Sequence, residues 1–179
     1  RRDVKDNGEG RIELCKLDVK PNGVIEATRD RVEVDPHTHL EKNWMPILDM
    51  PFHFVRWCNP LEIIKINPNN RSKQKVAKGI INIIDSEVVI KNDDKLNLPL
   101  GLRGSSQVIP FGDNGDRICV THETHFFWHQ NKKKDAHYYH RFVIWDKDWK
   151  VKKVSEQFKF MDAMIEFACG LIIKDDNFI

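Results

Sequence analysis

The sequence predicts an all-β fold. Short runs rich in Val, Ile, Phe, Tyr and Trp recur along the chain, and several of them alternate apolar and polar residues with a period of two. Clusters of Asn, Asp, Gly and Pro separate these runs, whereas apolar stripes at helical spacing are scarce. Because 40% of the 179 residues are hydrophobic, the chain can bury a substantial core.

The predicted strands follow one another along the chain with only short breaks. In order they are 10–19, 23–34, 43–49, 52–58, 61–67, 75–84, 86–91, 103–111, 116–125, 137–146, 149–155 and 164–173. Residues 161–169 also have an apolar stripe at helical spacing, but Ile165-Glu166-Phe167 alternates as a strand does. We therefore predict a strand there.

Turn chemistry supports four of the breaks between strands. Fixed or left-handed φ angles and side-chain-to-backbone hydrogen bonds are available at Pro21-Asn22-Gly23, Asn67-Pro68-Asn69-Asn70, Gly112-Asp113-Asn114-Gly115 and Asp146-Lys147-Asp148. Strands spaced in this way suit a sandwich, a barrel or a propeller, and no internal repeat chooses among them. The polar-to-apolar segment 93–101 interrupts the meander, as expected where one propeller blade hands over to the next.

Charge and composition exclude several classes of function. Lys and Arg number 29 against 27 Asp and Glu, the signs are interspersed, and the one basic cluster, Lys132-Lys133-Lys134, is typical of an exposed turn. Nothing in this pattern calls for nucleic acid as a partner. No apolar stretch has the length of a membrane-spanning helix or of a signal core, so we expect a soluble protein in the cytoplasm or facing the cytosol.

The cysteines and histidines do not form a recognisable metal motif. Cys15, Cys58, Cys119 and Cys169 are far apart, which favours reduced thiols but leaves disulfide pairing open. The histidine-rich stretch beginning at His122 lacks the HExxH spacing, and no cysteine pair completes a zinc set. We therefore predict no metal.

Two loop-and-strand segments carry side chains suited to polar ligands. Lys42 and Asn43, in the segment 41–46, offer a positioned cation and an amide for phosphate or a sugar hydroxyl. From residue types alone, a surface salt bridge beside a buried Trp is the commoner explanation. In the segment 102–110, Gly104 allows backbone to approach a ligand closely. Its candidate ligand-binding side chains, which an ordinary loop before a strand would also explain, are Arg103, Ser105 and Gln107.

A third segment combines a histidine with an aromatic and basic strand. His122 and Glu123 should point to opposite faces of a strand, because alternate residues share a face. By the same rule Tyr139 and Arg141 should share a face while His140 takes the other. A histidine such as His122 can carry a proton or contact an anion, and packing is the alternative role.

Five motifs together resemble the second half of the propeller of glycoside hydrolase family 130. In order along the chain they are EKNWMP at 41–46, LRGSSQVIP at 102–110, THE at 121–123, YYHRFV at 138–143 and IEFACGL at 165–171. The resemblance covers about residues 10–179. It implies a β-propeller with blades of four antiparallel strands, of which this chain would hold about three, with blade boundaries near 43–50 and 93–102 and with further blades or a glycosyltransferase domain outside it.

The resemblance also implies roles for individual residues. Lys42 matches a lysine that helps to bind phosphate in phosphorolytic relatives, and His122 matches a histidine in the same pocket. Tyr139 and Arg141 match a strand that lines the cavity. Arg103 stands where phosphorylases often carry a small residue. The aspartate that these relatives use as general acid has no counterpart in this chain, so no catalytic residue is predicted.

The function implied is action on, or transfer of, β-linked mannosyl-type sugars, with an oligosaccharide or glycoconjugate as partner. No bound cofactor is expected, although inorganic phosphate or a nucleotide sugar would be a co-substrate. Two alternatives remain: a non-catalytic propeller that binds a glycan or positions an acceptor beside a glycosyltransferase domain, and a structural interaction domain in which the five tryptophans are core or interface anchors. An incomplete propeller would also leave open sheet edges, which favour self-association.

Overall fold

The structure is a computed structural model that describes residues 8–76, 79–92, 101–131, 134–174 and 177–178. Over these ranges the secondary structure consists of β-strands with no helix. The chain forms two compact units, one made of residues 1–42 with 64–89 and the other of residues 43–63 with 90–179. The predicted all-β class is confirmed, whereas the division into propeller blades stays a prediction.

Thirteen strands are present in the described residues. They are β1 (Glu13–Lys20), β2 (Gly23–Glu33), β3 (Met45–Pro46), β4 (His53–Cys58), β5 (Leu61–Val76), β6 (Gly79–Asn92), β7 (Arg103–Gly104), β8 (Ile109–Phe111), β9 (Asp116–Trp128), β10 (Lys134–Trp145), β11 (Val151–Val154), β12 (Ile173–Lys174) and β13 (Asn177–Phe178).

The first unit is built from β1, β2, most of β6 and most of β5, which are neighbours in that order. β1 and β2 form an antiparallel hairpin, and Gly23 takes a φ of 141° at the predicted turn, a value open to glycine. β2 runs parallel to β6, with Val32 opposite Ile84. The buried apolar side chains of this unit are Val32, Val34, Ile64, Ile66, Ile83 and Ile84.

The predicted turn at 67–70 is wrong, because β5 continues through it. Asn67 does form a local bond, accepting the backbone N–H of Asn69 at 3.1 Å, but Asn70 donates its side-chain amide to Asp85 on β6 at 2.8 Å. The predicted break between 84 and 86 is also absent, since the Ser86 hydroxyl donates to the Glu33 carbonyl at 2.7 Å beside the parallel pairing. At 67–70 pairing between strands overrides the local turn signal.

The second unit holds the hairpin formed by β9 and β10. These strands pair antiparallel without a break in register from Arg117 opposite Trp145 to Trp128 opposite Lys134. β7 and β8 pair with β9, and β11 pairs with β10. The predicted turns on either side of this hairpin, at 112–115 and 146–148, are confirmed.

Three predicted strands of this unit are shorter than expected. Only 45–46 of the predicted 43–49 is strand, and the predicted 103–111 is two short strands separated by an irregular stretch. The predicted strand 164–173 reduces to its last residue, since strand begins at Ile173 and 164–172 is irregular, with no helix there either. The carboxylate of Glu166 accepts backbone N–H groups from Phe160, Met161 and Ala163, so the chain turns back on itself instead of extending.

Two apolar clusters form the core of the second unit. The smaller consists of Ile109, Ile118, Val120 and Leu171. The buried members of the larger are Met45, Ile47, Val55, Cys58, Leu61, Ile63, Leu102, Val108, Cys119, Val143, Trp145 and Trp149. Cys58 and Cys119 are buried, and Cys15 and Cys169 are exposed. Burial raises the pKa of both buried thiols, to about 12 for Cys58 even though the charge of Arg103 opposes the shift.

Some predictions concern residues outside the described part of the chain. The crossing at 93–100 and residues Lys132 and Lys133 of the basic cluster lie there, while Lys134 is exposed at the start of β10. No helix in the described ranges is long and apolar enough to cross a membrane.

Candidate functional site

β7 and β9 bring three predicted residues together. Arg103 lies opposite His122 in the antiparallel pairing of these strands. Ser105, two residues further along, places its hydroxyl oxygen 2.8 Å from Nδ1 of His122. The backbone N–H groups of Ser105 and Ser106 both donate to the Val120 carbonyl, which fixes the chain just after β7. Residues 17 to 19 positions apart in sequence therefore form one cluster.

The ring of His122 is held in one orientation. It stacks on Tyr138 with ring centroids 5.2 Å apart and an interplanar angle of 3°, and it meets the edge of Phe167 at the same centroid distance. Only 3% of the residue is exposed. A histidine oriented by a hydroxyl and two rings can hold a proton or donate to an oxygen at a fixed position.

Arg103 is held by an aromatic ring on its other side. Its guanidinium carbon lies 3.9 Å from the ring centroid of Trp57, at cation–π distance. Arginine suits this arrangement because its planar group stacks on a ring while its N–H groups remain in the plane and able to donate. The cluster of Trp57, Arg103, Ser105 and His122 is called the β7–β9 site below.

Gly104 makes this geometry possible. A Cβ atom at this position would lie 2.4 Å from Cγ of Met45 and 2.5 Å from the carbonyl oxygen of Asn43. Asn43 itself has a φ of 60°, a left-handed value that asparagine tolerates better than most residues. Gly104 therefore allows close approach by the chain around Asn43, whereas its predicted approach to a ligand stays a prediction.

The side-chain amide of Gln107 is hydrogen-bonded to the backbone of Leu171. Its side-chain nitrogen donates to the Leu171 carbonyl at 2.6 Å, and its side-chain oxygen accepts the Leu171 N–H at 3.2 Å. The amide therefore pairs with a backbone residue on both sides, as a neighbouring strand would. Lys42, the remaining residue predicted from the first segment, is exposed and belongs to the first unit.

Tyr139 and Arg141 lie on the opposite face of the β9–β10 hairpin from His122. Arg141 donates from Nε to Glu123 Oε1 at 3.0 Å and from a terminal nitrogen to the Ser155 carbonyl at 2.9 Å. Gln157 also donates to Glu123 Oε1.

The face assignments predicted by strand alternation are confirmed by the register, in which Glu123 is opposite Tyr139 and His122 is opposite His140.

Glu123 is a buried carboxylate that stays ionised. Burial acts to raise its pKa, but the hydrogen bonds from Gln157 and Arg141, together with the charge of Arg141, outweigh burial and lower the pKa below its ordinary value. Nε2 of His125 lies 3.5 Å from the other carboxylate oxygen. Glu123 is therefore an acceptor in this environment and not a proton donor at neutral pH.

His140 and Glu166 form a second buried pair, on the face of His122. His140 is fully buried. Its Nε2 lies 3.9 Å from the Glu166 carboxylate. Burial lowers the pKa of His140, and the charge of Glu166 opposes this only in part. The neutral ring packs against Phe158 and Phe160.

Sequence reasoning missed several of the groups that surround the predicted residues. The hairpin register would have placed Glu123 beside Tyr139 once β9 and β10 were recognised as partners. Trp57 contacts Arg103, and Gln157 contacts Glu123 on the opposite face; both come from distant parts of the chain, and no local pattern marks them. Among the described residues no three His, Cys, Asp or Glu side chains converge as a metal-binding group.

A polar groove of about 150 Å³ lies in the first unit. It is lined by Lys65, Asn67, Asn70, Asp85, Ser86 and Glu87. Comparison with known proteins returned no matching family model, no matching curated protein and no matching solved structure. The case for a function therefore depends on the residues and their geometry.

Proposed function

We propose that this chain is part of a carbohydrate-handling β-propeller whose β7–β9 site binds a β-linked mannosyl-type sugar or the phosphate that reacts with it. The observation that carries the proposal is the meeting of Arg103, Ser105 and His122. The sequence motifs single out these residues, and they lie within one cluster of the second unit.

The chemistry of the cluster suits a polar, oxygen-rich ligand. Arg103 offers a planar set of N–H donors supported from behind by Trp57. Ser105 and His122 add a hydroxyl and a ring nitrogen whose separation is fixed at 2.8 Å. Groups of this kind donate to phosphate oxygens and to vicinal hydroxyls alike, which is the pairing that phosphorolysis of a glycoside requires.

Binding without catalysis is the second candidate, and the burial of His122 favours it. With 3% of the residue exposed and two rings packed against it, His122 is placed to orient its neighbours more than to exchange protons with a substrate. In this version the chain binds a glycan or positions an acceptor for a glycosyltransferase domain.

The test is an activity and binding assay on the full chain. The protein is incubated with mannobiose and mannohexaose, with and without inorganic phosphate, and with GDP-mannose plus acceptor, while binding is followed by calorimetry. Release or transfer of mannose supports the catalytic version, and binding without turnover supports the second. Absence of both contradicts the proposal and leaves the interaction-domain alternative.

Variants of the β7–β9 site connect the assay to the structure. Arg103→Ala and Ser105→Ala should each weaken sugar or phosphate binding by roughly tenfold, about 1.4 kcal/mol, because each removes donors to the ligand. Arg29→Ala is the matched control, since this arginine pairs with Glu13 at 3.6 Å in the first unit. Equal binding by all three variants and the wild type would place the ligand elsewhere.

A further inference from the structure

A band of contacting rings covers one face of the outer part of the β9–β10 hairpin. Tyr139 lies 4.9 Å from His125 and 6.4 Å from His137, measured between ring centroids. Phe127 stacks on His137 at 4.9 Å with an interplanar angle of 20° and contacts His129 at 5.1 Å. These five residues, called the ring band below, form one continuous chain of contacts.

Strand alternation and register put the ring band on a single face. His125 is opposite His137, Glu123 is opposite Tyr139 and Phe127 is opposite Asp135. At about 3.3 Å per residue, the stretch from Glu123 to His129 is roughly 20 Å long. The side chains of His125 and His129 are 53% and 44% exposed, so the band is open to solvent along much of this length.

Hydrogen-bonding groups border both ends of the ring band. At one end are the Glu123 carboxylate with its Arg141 and Gln157 partners, and the ammonium of Lys159 lies 5.4 Å from the centre of the Tyr139 ring. At the other end His129 Nε2 is 3.2 Å from the Asp135 carboxylate. The formal charges of these bordering side chains cancel, with two carboxylates against Arg141 and Lys159.

We infer that the ring band is a binding platform for an extended, neutral oligosaccharide. Aromatic faces carry partial negative charge and attract the polarised C–H groups of a sugar ring, while carboxylate, amide and guanidinium groups bond its hydroxyls. A single-stranded nucleic acid also stacks on rings, but it needs a positive groove along its backbone, and carboxylates at both ends oppose it.

This inference rests on the proposed function for its choice of mannosyl sugars, and it adds a second contact surface on the face of the hairpin opposite His122. The β7–β9 site would hold one or two sugar units. Because the two surfaces lie on opposite faces of the hairpin, the ring band would bind a longer glycan as a separate site, and its effect should grow with the length of the glycan.

The experiment compares neighbouring phenylalanines on opposite faces of β9. Phe127→Ala removes the central ring of the band, whereas Phe126→Ala removes a ring that is 61% exposed on the other face. Calorimetry with the full chain should show that Phe127→Ala weakens mannohexaose binding by roughly tenfold or more, about 1.4 kcal/mol. Mannobiose binding should not change, Phe126→Ala should match the wild type, and Phe127→Trp should retain binding of the long sugar.

The outcomes separate the ring band from the proposed function. Mannohexaose binding that depends on Arg103 but not on Phe127 would overturn the ring band and keep the proposed function. Binding of cellohexaose or chitohexaose in place of mannohexaose, lost in Phe127→Ala, would keep the ring band and contradict the mannosyl assignment. Binding of oligo-dT, or a dimer that dissociates in Phe127→Ala, without any sugar binding would overturn the inference.

Far-UV circular dichroism checks that each variant is folded. If Phe127→Ala is unfolded, His125→Ala replaces it, because the side chain of His125 is exposed.

Discussion

The inner and outer halves of the β9–β10 hairpin are built from similar residue types but lie in different surroundings. In the inner half, 117–122 paired with 140–145, His122 and His140 are 3% and 0% exposed and Trp145 is fully buried. In the outer half, 123–128 paired with 134–139, Trp128 is 67% exposed and the side chain of His125 is 53% exposed. Position along the hairpin, and not residue type, decides whether an aromatic side chain stabilises the fold or is available to a ligand.

The largest expected difference between the halves is the cost of removing a tryptophan. Trp145→Ala should lower the free energy of unfolding by about 3–5 kcal/mol, since it leaves a cavity in the core. Trp128→Ala should change it by no more than about 0.5 kcal/mol, because the ring is mostly in water. Urea unfolding followed by circular dichroism measures both, and equal losses would show that the outer half is also buried in solution.

A smaller effect is expected where β7 packs beside the inner half. Gly104→Ala should lower the free energy of unfolding by about 1–3 kcal/mol, because the new Cβ meets the Asn43 carbonyl and Met45. Gly170→Ala is the control, since the nearest atom to its Cβ would be 3.9 Å away. A neutral Gly104→Ala would mean that β7 and the chain at Asn43 are further apart than described.

The smallest expected effect is a change in how stability depends on pH. The pKa of buried His140 is lowered from 6.5, so below that pH the unfolded chain binds a proton that the folded chain does not. The free energy of unfolding therefore decreases as the pH is lowered. His140→Phe should therefore reduce the slope of unfolding free energy between pH 6.5 and about pH 5. Phe126→Ala should keep the wild-type slope, and an unchanged slope in His140→Phe would indicate that the ring is solvated.

The sequence predicted the β9–β10 hairpin well because its signals are local. Alternation predicted the faces of His122, Tyr139 and Arg141. Turn residues at 112–115 and 146–148 predicted where β9 begins and where β10 ends. The limit of burial along the hairpin was not predictable, because it depends on which distant segments cover each face. The residues 158–171 cover the inner part of one face, and their course follows from hydrogen bonds that no periodicity reveals.

In the first unit a local signal led to a wrong prediction, that of a turn at 67–70. Asn67-Pro68-Asn69-Asn70 has the composition of a turn, yet Asn70 serves as a cross-strand partner of Asp85. A turn signal states a local preference of the backbone, and pairing with a neighbouring strand can exceed it. The β7–β9 site was partly predictable, because local motifs marked Ser105 and His122 as candidates. Their contact was not predictable, because it depends on the pairing of β7 with β9.

Glu166 has a consequence for how this chain can vary over evolutionary time. One carboxylate accepts the backbone N–H groups of Phe160, Met161 and Ala163, so the shape of the segment depends on a single side chain and not on the identity of its neighbours. Burial acts to raise the pKa of Glu166, but these N–H groups outweigh it and keep the acid ionised. Natural variants should therefore replace exposed Met161 and Ile165 freely while retaining a glutamate at position 166.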